Sequence, residues 1–518
     1  MTVTTVQLQR PAAPASTPVW MVLSIGAAGV AMAVAAWAGG QWSLTVLVMM
    51  LLAGALVLVV SRPHIGISLF LTTFLINYPA VTKGVGYLTI NNVLGAVFLS
   101  LLAWDYYVKR DAWYLREPLV WMLLAIGAVM VASTIGAEYT SPDSFIQAFV
   151  RRSIGDPRAR LDHTQRWLFQ YFSRVAFVTF VLNFIRTPRQ LRMVFLTLLA
   201  CILAAVPPAL LSYSRMAENE FRMVSQTVNW ADNVNRFAFG CILGVALLYQ
   251  LFMSARSTWA KASAMLGAVL LLPLVLFAAS RSGFLGLFLL GALVLSGQFG
   301  FREDGGSHAS ALAGVLMSIG LVLLTFMFAL GPKARERVLN INPFAAERLE
   351  GARSTELRSA AVEESLALIR MHPLLGVGVG NFRWVNKYYH DSFKPPHNSY
   401  LWAAAEGGLV LLAAYLMLFR LLWRRLGRLR AGYARRSDLP YFPHWLRVYM
   451  ILLMFFSFFA DVWLEEHIFL LVASAVLLDR WRDLPLDEQA PAPSAGPARG
   501  GDRGYALLAP ESRLAGEV

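Results

Sequence analysis

The chain has 518 residues, 57% of them hydrophobic and only 15% charged, with a mean hydropathy of +0.55. A water-soluble domain of this length needs more charge than that to cover its surface. The net charge of +14 is not arranged as a basic, aromatic-interleaved stripe on a soluble domain, so no nucleic-acid partner is expected. Cys201 and Cys241 both fall inside apolar runs, which excludes a disulfide framework and a Cys/His metal cluster.

Met1–Pro18, rich in Pro, Ala, Ser and Thr, reads as a disordered cytoplasmic tail rather than a signal peptide. Apolar runs follow near 19–37, 43–61, 64–81, 88–107, 118–136, 167–185, 191–212, 237–253, 262–279, 283–298, 310–331, 398–420, 446–460 and 466–479. Crossing the hydrocarbon takes about 20 apolar residues in a helix. The sequence therefore predicts an all-α, polytopic transmembrane bundle of about 12–14 spans with one large extracytoplasmic loop containing short helices. The expected organisation is transmembrane helices over 19–331, the large loop over 332–397, further transmembrane helices over 398–480, and a disordered cytoplasmic tail over 485–518.

Arg62, the groups Lys109–Arg116, Arg186–Arg192 and Arg256–Lys261, Arg302, and the dense run Arg420–Arg436 occupy alternate loops. The positive-inside bias makes those loops and both termini cytoplasmic. Yet 137–166 (with Arg151, Arg152, Arg158 and Arg160), 213–236, a turn at Arg281 and 332–397 carry arginines on the opposite side. Long loops escape the bias, but an outer face so rich in guanidinium also suits an anion. The run 262–298 is too long for one helix and carries Arg281 near its middle, so it divides there into a hairpin turning at the outer surface. Asp461, Glu465, Glu466 and His467 likewise interrupt 446–479, and Pro207 and Pro208 are expected to kink the seventh span.

In the large loop, 355–371 reads as an amphipathic helix with Leu357, Ala361, Leu368 and Met371 on one face. Pro373 stops it, and Gly376, Gly378 and Gly380 make a turn. Lys394-Pro-Pro-His-Asn-Ser-Tyr400 then leads into a span, so His397 and Asn398 sit where that helix emerges from the membrane. Glu406 lies about two turns deeper, and an ionisable side chain at such depth is a functional candidate by default. There is no Walker-type loop, HExxH or Asp-x-Asp, and Gly376–Gly380 lacks the dinucleotide fingerprint. A nucleotide-driven pump or nucleotide-sugar enzyme is not indicated.

Several separated motifs resemble the O-antigen ligase and polymerase superfamily of bacterial envelope enzymes. His397-Asn398-Ser-Tyr-Leu-Trp-Ala-Ala-Ala-Glu406-Gly-Gly408 resembles its His-Asn…Glu-x-Gly signature, departing only at Gly408-Leu-Val-Leu411, where a further glycine is usual. His372-Pro-Leu-Leu-Gly376-Val-Gly378-Val-Gly380-Asn-Phe382 resembles its Pro-x-x-Gly-x-Gly segment, with Arg358 upstream. Ser280-Arg281-Ser-Gly-Phe-Leu-Gly286 resembles its Ser-Arg turn, and Asp232-Asn-Val-Asn235-Arg-Phe-Ala238, after Arg222, its Asn-x-x-Ala segment. Together these cover about 215–420; the N-terminal half matches only in hydropathy.

The resemblance implies a multi-pass protein of the bacterial inner membrane with its active site facing the periplasm or cell exterior. It implies transfer of a glycan from an undecaprenyl-diphosphate carrier to a hydroxyl of a glycan, lipid or protein acceptor, among membrane lipids and without metal or cofactor. Arginines can neutralise the leaving diphosphate bidentately, and a histidine, largely neutral at pH 7, can take the acceptor proton. The residues implicated are His397 as base, Arg281 with Arg222 or Arg215 as the diphosphate clamp, and Arg358, Glu406, Asn235 and Asn398 as substrate contacts. Plainer roles stand beside these. Asn235 is equally a helix cap, Arg358 a partner of Glu363 or Glu364, and Glu406 a partner of Arg281 or of backbone at a helix end. A solute transporter and a non-catalytic component of a polysaccharide assembly complex are the rival classes. A transporter would concentrate charge at mid-membrane on inverted repeats, and here the charge gathers near the predicted outer surface without a visible repeat.

Overall fold

The computed structural model describes residues 59–75, 90–109, 113–137, 158–214, 233–255, 257–278, 280–299, 350–390, 396–433, 441–460, 462 and 465–482, with positions 57 and 320. Every regular element among them is helical. In chain order these are α1 (Pro63–Leu75), α2 (Ile90–Lys109), a 3-10 turn at Trp113–Arg116, α3 (Pro118–Gly136), α4 (Arg158–Phe184), α5 (Pro188–Ala204) and α6 (Val206–Ser214). There follow α7 (Val234–Ser254), α8 (Thr258–Phe277), α9 (Arg281–Leu295), α10 (Glu350–Met371), α11 (Phe382–His390), α12 (Ser399–Tyr433), α13 (Phe442–Phe456) and α14 (Glu466–Trp481). The predicted span 19–37, and nearly all of 43–61 and 310–331, lie outside the described residues.

Among the described residues, five stretches are by themselves long and apolar enough to cross a membrane: Pro118–Gly136, Pro188–Leu210, Val234–Ser254, Thr258–Phe277 and Ser399–Arg430. The chain is thus a polytopic helical membrane protein. Its outer helices turn large apolar side chains outward, such as Trp121 and Ile135 of α3, Trp259 and Leu266 of α8 and Phe288 of α9. In water that surface would drive aggregation; against lipid tails it costs nothing. α13 and α14 are buried along almost their whole length, as helices apolar all round should be. α7, α9, α12 and α14 pack around α13, while α12 also packs on α3 and α10.

The breaks fall where local chemistry requires them. Thr187 opens α5 with a reciprocal capping box to Gln190 and Pro188 in its first turn. Pro207 and Pro208 follow the interruption at Ala205 that separates α5 from α6. The 262–298 run divides at residues 278–280, so Arg281 is the first residue of α9.

The largest departure from a plain bundle is in α12, whose 35 residues are interrupted at Gly408 (φ 70°, ψ −176°). A broken helix inside a membrane leaves polar backbone groups that lipid cannot satisfy. Here the loop 372–381 enters the break and satisfies them. Val377 N donates to Ala405 O (2.9 Å), Gly378 N to Glu406 O (2.9 Å), and Leu409 N to Pro373 O (2.8 Å). Ser133 Oγ of α3 lies 2.6 Å from both Leu375 O and Glu406 O, its one proton serving either. Below the loop, Leu368, Val377, Phe382, Val385, Trp402 and Ala405 form a small apolar core. In α10, Ala361 and Leu368 face inward as predicted, but Met371 is 46% exposed because the chain turns away at His372. The side chain of Leu357 lies outside the described residues.

A buried ion pair joins α4 to α14: Arg174 donates twice to Glu466 Oε1, at 2.6 and 3.1 Å. Arg174→Met leaves that carboxylate without its counter-ion in a nearly dry setting, a change that typically costs about 3–5 kcal/mol. The expected result is a lowered unfolding midpoint in detergent, partly restored in the double variant Arg174→Met/Glu466→Gln. Additive losses in the two single variants and the double would show that the pair is not coupled.

Candidate functional site

The site is assembled on the turn that ends α13, residues 457–460 with Val462. The start of α7 reaches this turn through Asn235, whose Nδ2 donates to Phe459 O (2.9 Å). The start of α9 reaches it through the same amide: Ser280 Oγ and Ser282 Oγ donate to Asn235 Oδ1 at 2.7 and 3.1 Å. The start of α12 attaches from the other direction. Ser399 N donates to Ser457 O (2.7 Å), Ser399 Oγ donates to Ala460 O (2.7 Å) and accepts from Val462 N (2.9 Å). Arg281, between the two serines, and His397, two residues before Ser399, are therefore carried by helix ends pinned to neighbouring carbonyls of one turn.

Each helix end is built for this. Asn233 caps α7, accepting from Asn235 N at 2.8 Å. Ser280 caps α9, accepting from Gly283 N at 3.1 Å. Asn398 caps α12, its Oδ1 accepting from Tyr400 N (3.0 Å) and Leu401 N (3.1 Å). The small residues of the Ser-Arg-Ser-Gly-Phe-Leu-Gly segment let α9 lie close against its neighbours. A Cβ on Gly283 would stand 2.7 Å from that of Ala238, and one on Gly286 would stand 2.8 Å from the Phe456 ring. The start of α14 joins the same end through Arg236–Glu465 (3.3 Å). Four helix N-termini thus gather at one end of the bundle, each presenting the positive pole of its dipole.

His397 adopts φ 48°, in the left-handed region that non-glycine residues seldom occupy. Such a conformation costs on the order of 1 kcal/mol and survives where the surroundings impose it, often at functional positions. Here it turns the chain between Pro396 and the capped start of α12.

The other candidates fall in different places. Asn235 is not the cap of α7; Asn233 is, and Asn235 is the joint between α7, α9 and the 457–462 turn. Glu406, buried in α12, has its Oε1 3.3 Å from Phe382 N at the start of α11, so it serves backbone at a helix end. Trp402 Nε1 and the backbone of Gly380 also face this carboxylate. Arg358 belongs to α10 with its side chain outside the described residues, and Arg215 and Arg222 lie outside them altogether. Glu364 accepts from Asn386 Nδ2 at 2.7 Å.

Sequence reasoning missed Arg174, Arg236, Ser280, Ser282 and Ser399. A signal existed for Arg174, because a charge inside an apolar run demands a partner, and Glu465-Glu466 was the visible source of one. The serines stood inside the quoted motifs, but their role as joints depends on which carbonyls the fold brings within reach. Among the described residues no group of three or more His, Cys, Asp or Glu could hold a metal ion.

A search among curated proteins returns no match to the chain. Comparison with family models does give one, to the family described as O-Antigen ligase, over residues 266–416. That segment runs from within α8 through α9, α10 and α11 into α12, and so contains Arg281, Arg358, His397, Asn398 and Glu406. Asn235 and the acidic start of α14 lie outside it yet complete the same cluster. Residues 266–416 are thus similar to the O-antigen ligase family, and the likeness covers the helix ends that carry Arg281 and His397.

Proposed function

We propose that the protein transfers a glycan from an undecaprenyl-diphosphate carrier to an acceptor hydroxyl at the outer face of the inner membrane, without a metal. The observation that carries this reading is the pinning of the Arg281 and His397 helix ends to adjacent carbonyls of the 457–462 turn. In the step we envisage, the acceptor oxygen attacks the anomeric carbon of the carrier-linked sugar. The bond from that carbon to the diphosphate oxygen breaks, and undecaprenyl diphosphate leaves with the bonding pair. His397 takes the acceptor proton. Arg281, helped by Arg222 or Arg215 and by the helix N-termini, stabilises the charge that develops on the diphosphate. Arg358, Asn398 and Asn235 order the donor or the segments that hold it.

The test is turnover by the purified protein in detergent or proteoliposomes, with a lipid-linked oligosaccharide and candidate acceptors. Arg281→Ala is expected to slow transfer by about 10²–10³-fold, the range for removing one charge-stabilising donor. Adding His397→Ala should cost less than the product of the two single losses, since both act on one transition state. Unchanged turnover in Arg281→Ala and His397→Ala would remove the mechanism. The acceptor that becomes glycosylated would distinguish ligation to lipid or protein from polymerisation.

A further inference from the structure

We propose that the ends of α12 and α13 remote from His397 bind the phosphodiester of an anionic phospholipid, in a notch formed by Trp423, Gly427 and Arg430 of α12 with His444 and Arg447 of α13. The inference does not depend on the proposed transferase activity. Trp423 lies 24 positions beyond Ser399 along α12, which puts it roughly 35 Å away, at the opposite end of the bundle.

Unmet donors come first. His444 is fully buried, and neither ring nitrogen has a hydrogen-bond partner. An imidazole always carries at least one N–H in need of an acceptor. One helical turn along, Arg447 Nε is also buried without a partner. The Arg447 guanidinium lies 3.7 Å from the centre of the Trp423 ring, an arrangement that fixes its plane. The charge of Arg430 acts on both His444 and Arg447. Among the described residues, Glu117 and Asp479 are engaged elsewhere: both hold Arg425, each at 2.8 Å, and Asp479 also faces Arg482.

The backbone adds to the demand for an anion. α13 begins at Tyr441, in a left-handed conformation (φ 60°); Pro443 has no N–H and His444 N donates to Tyr441 O (3.0 Å), so what this end offers an anion is chiefly its dipole. Its positive pole therefore opens beside His444.

Shape and position then select the ligand. A Cβ built on Gly427 meets nothing within 4 Å, so the face of α12 between Trp423 and Arg430 is open. Trp423 is 41% exposed on a helix long and apolar enough to span the membrane. A tryptophan at such a helix end marks the headgroup layer, where phosphodiesters are abundant and basic side chains attract anionic lipid. Arginine and imidazole N–H groups together suit phosphate oxygens.

The experiment is native mass spectrometry of the full-length protein, released from detergent after incubation with equal amounts of phosphatidylglycerol and phosphatidylcholine. The wild type should retain phosphatidylglycerol preferentially. Arg447→Gln should reduce that retention about fivefold, the factor expected of one basic residue near an anionic surface. Gly427→Leu should reduce it comparably by filling the notch. Because leucine is the better helix former and meets open space, this variant folds even if Arg447→Gln does not. Equal retention of the two lipids by the wild type, or an undiminished preference in Gly427→Leu, overturns the proposal. So does displacement of phosphatidylglycerol by millimolar inorganic phosphate, which would make the ligand a soluble phosphate instead.

Discussion

Gly408→Ala should lower the unfolding midpoint of the detergent-purified protein further than any surface substitution, and Gly376→Ala should do nearly the same. Both glycines sit at positive φ, 70° and 67°, a region that costs other residues about 1–2 kcal/mol. The larger part of the effect is steric. A Cβ on Gly408 would overlap the carbonyl of Leu374, and one on Gly376 the backbone of Glu406. Backbone cannot step aside as a flexible side chain can, so the loop 372–381 would have to leave the break in α12. Val377 N, Gly378 N and Leu409 N would then lose their acceptors, at about 1–3 kcal/mol for each buried group left unmet. A loss on the order of 4 kcal/mol or more follows from either substitution. Gly427→Ala is the control: it lies in the same helix, meets open space, and should be neutral or stabilising by about 1 kcal/mol. Equal midpoints for Gly408→Ala and Gly427→Ala would mean that the loop does not fill the break as described.

The same pair of motifs shows what a sequence can and cannot carry. Hydropathy located α3, α5, α7, α8 and α12, because twenty apolar residues have few other fates in a chain this hydrophobic. The division before Arg281 and the breaks around Pro207 and 457–465 were legible too, since a lone charge or proline in an apolar run constrains the backbone locally. Gly376–Gly380 and Glu406-Gly-Gly408 were visible as separate motifs, one a loop and the other a helix. Nothing in their spacing said that the glycines of one admit the backbone of the other. That relation is a contact between segments about thirty residues apart, with α11 between them. Glu406 illustrates the consequence: its place in an apolar run said that it needs a partner, and one partner, Phe382 N, is a backbone group that no side-chain pattern advertises. Asn235 illustrates the converse. Its neighbourhood did predict a cap, and the cap is two residues earlier at Asn233, leaving the Asn235 amide for the tertiary joint.

His397 can be separated from a merely structural histidine by comparing stability with turnover. Its φ of 48° costs glycine nothing and costs alanine at least as much as histidine. His397→Gly should therefore match or exceed the wild type in thermal stability, while His397→Ala should not. His397→Asn should resemble the wild type in stability, because asparagine tolerates the left-handed region better than most residues. None of the three substitutes can accept a proton as imidazole does. All should lose about 10²–10⁴-fold in glycan transfer, the usual contribution of a positioned general base. A gain or equality in stability joined to a large loss of turnover identifies a residue held in a strained conformation for its chemistry. If His397→Gly instead unfolds at a clearly lower temperature, the ring is needed to hold the start of α12, and the base must be sought elsewhere near the 457–462 turn. If turnover survives in all three variants, glycan transfer does not run through His397.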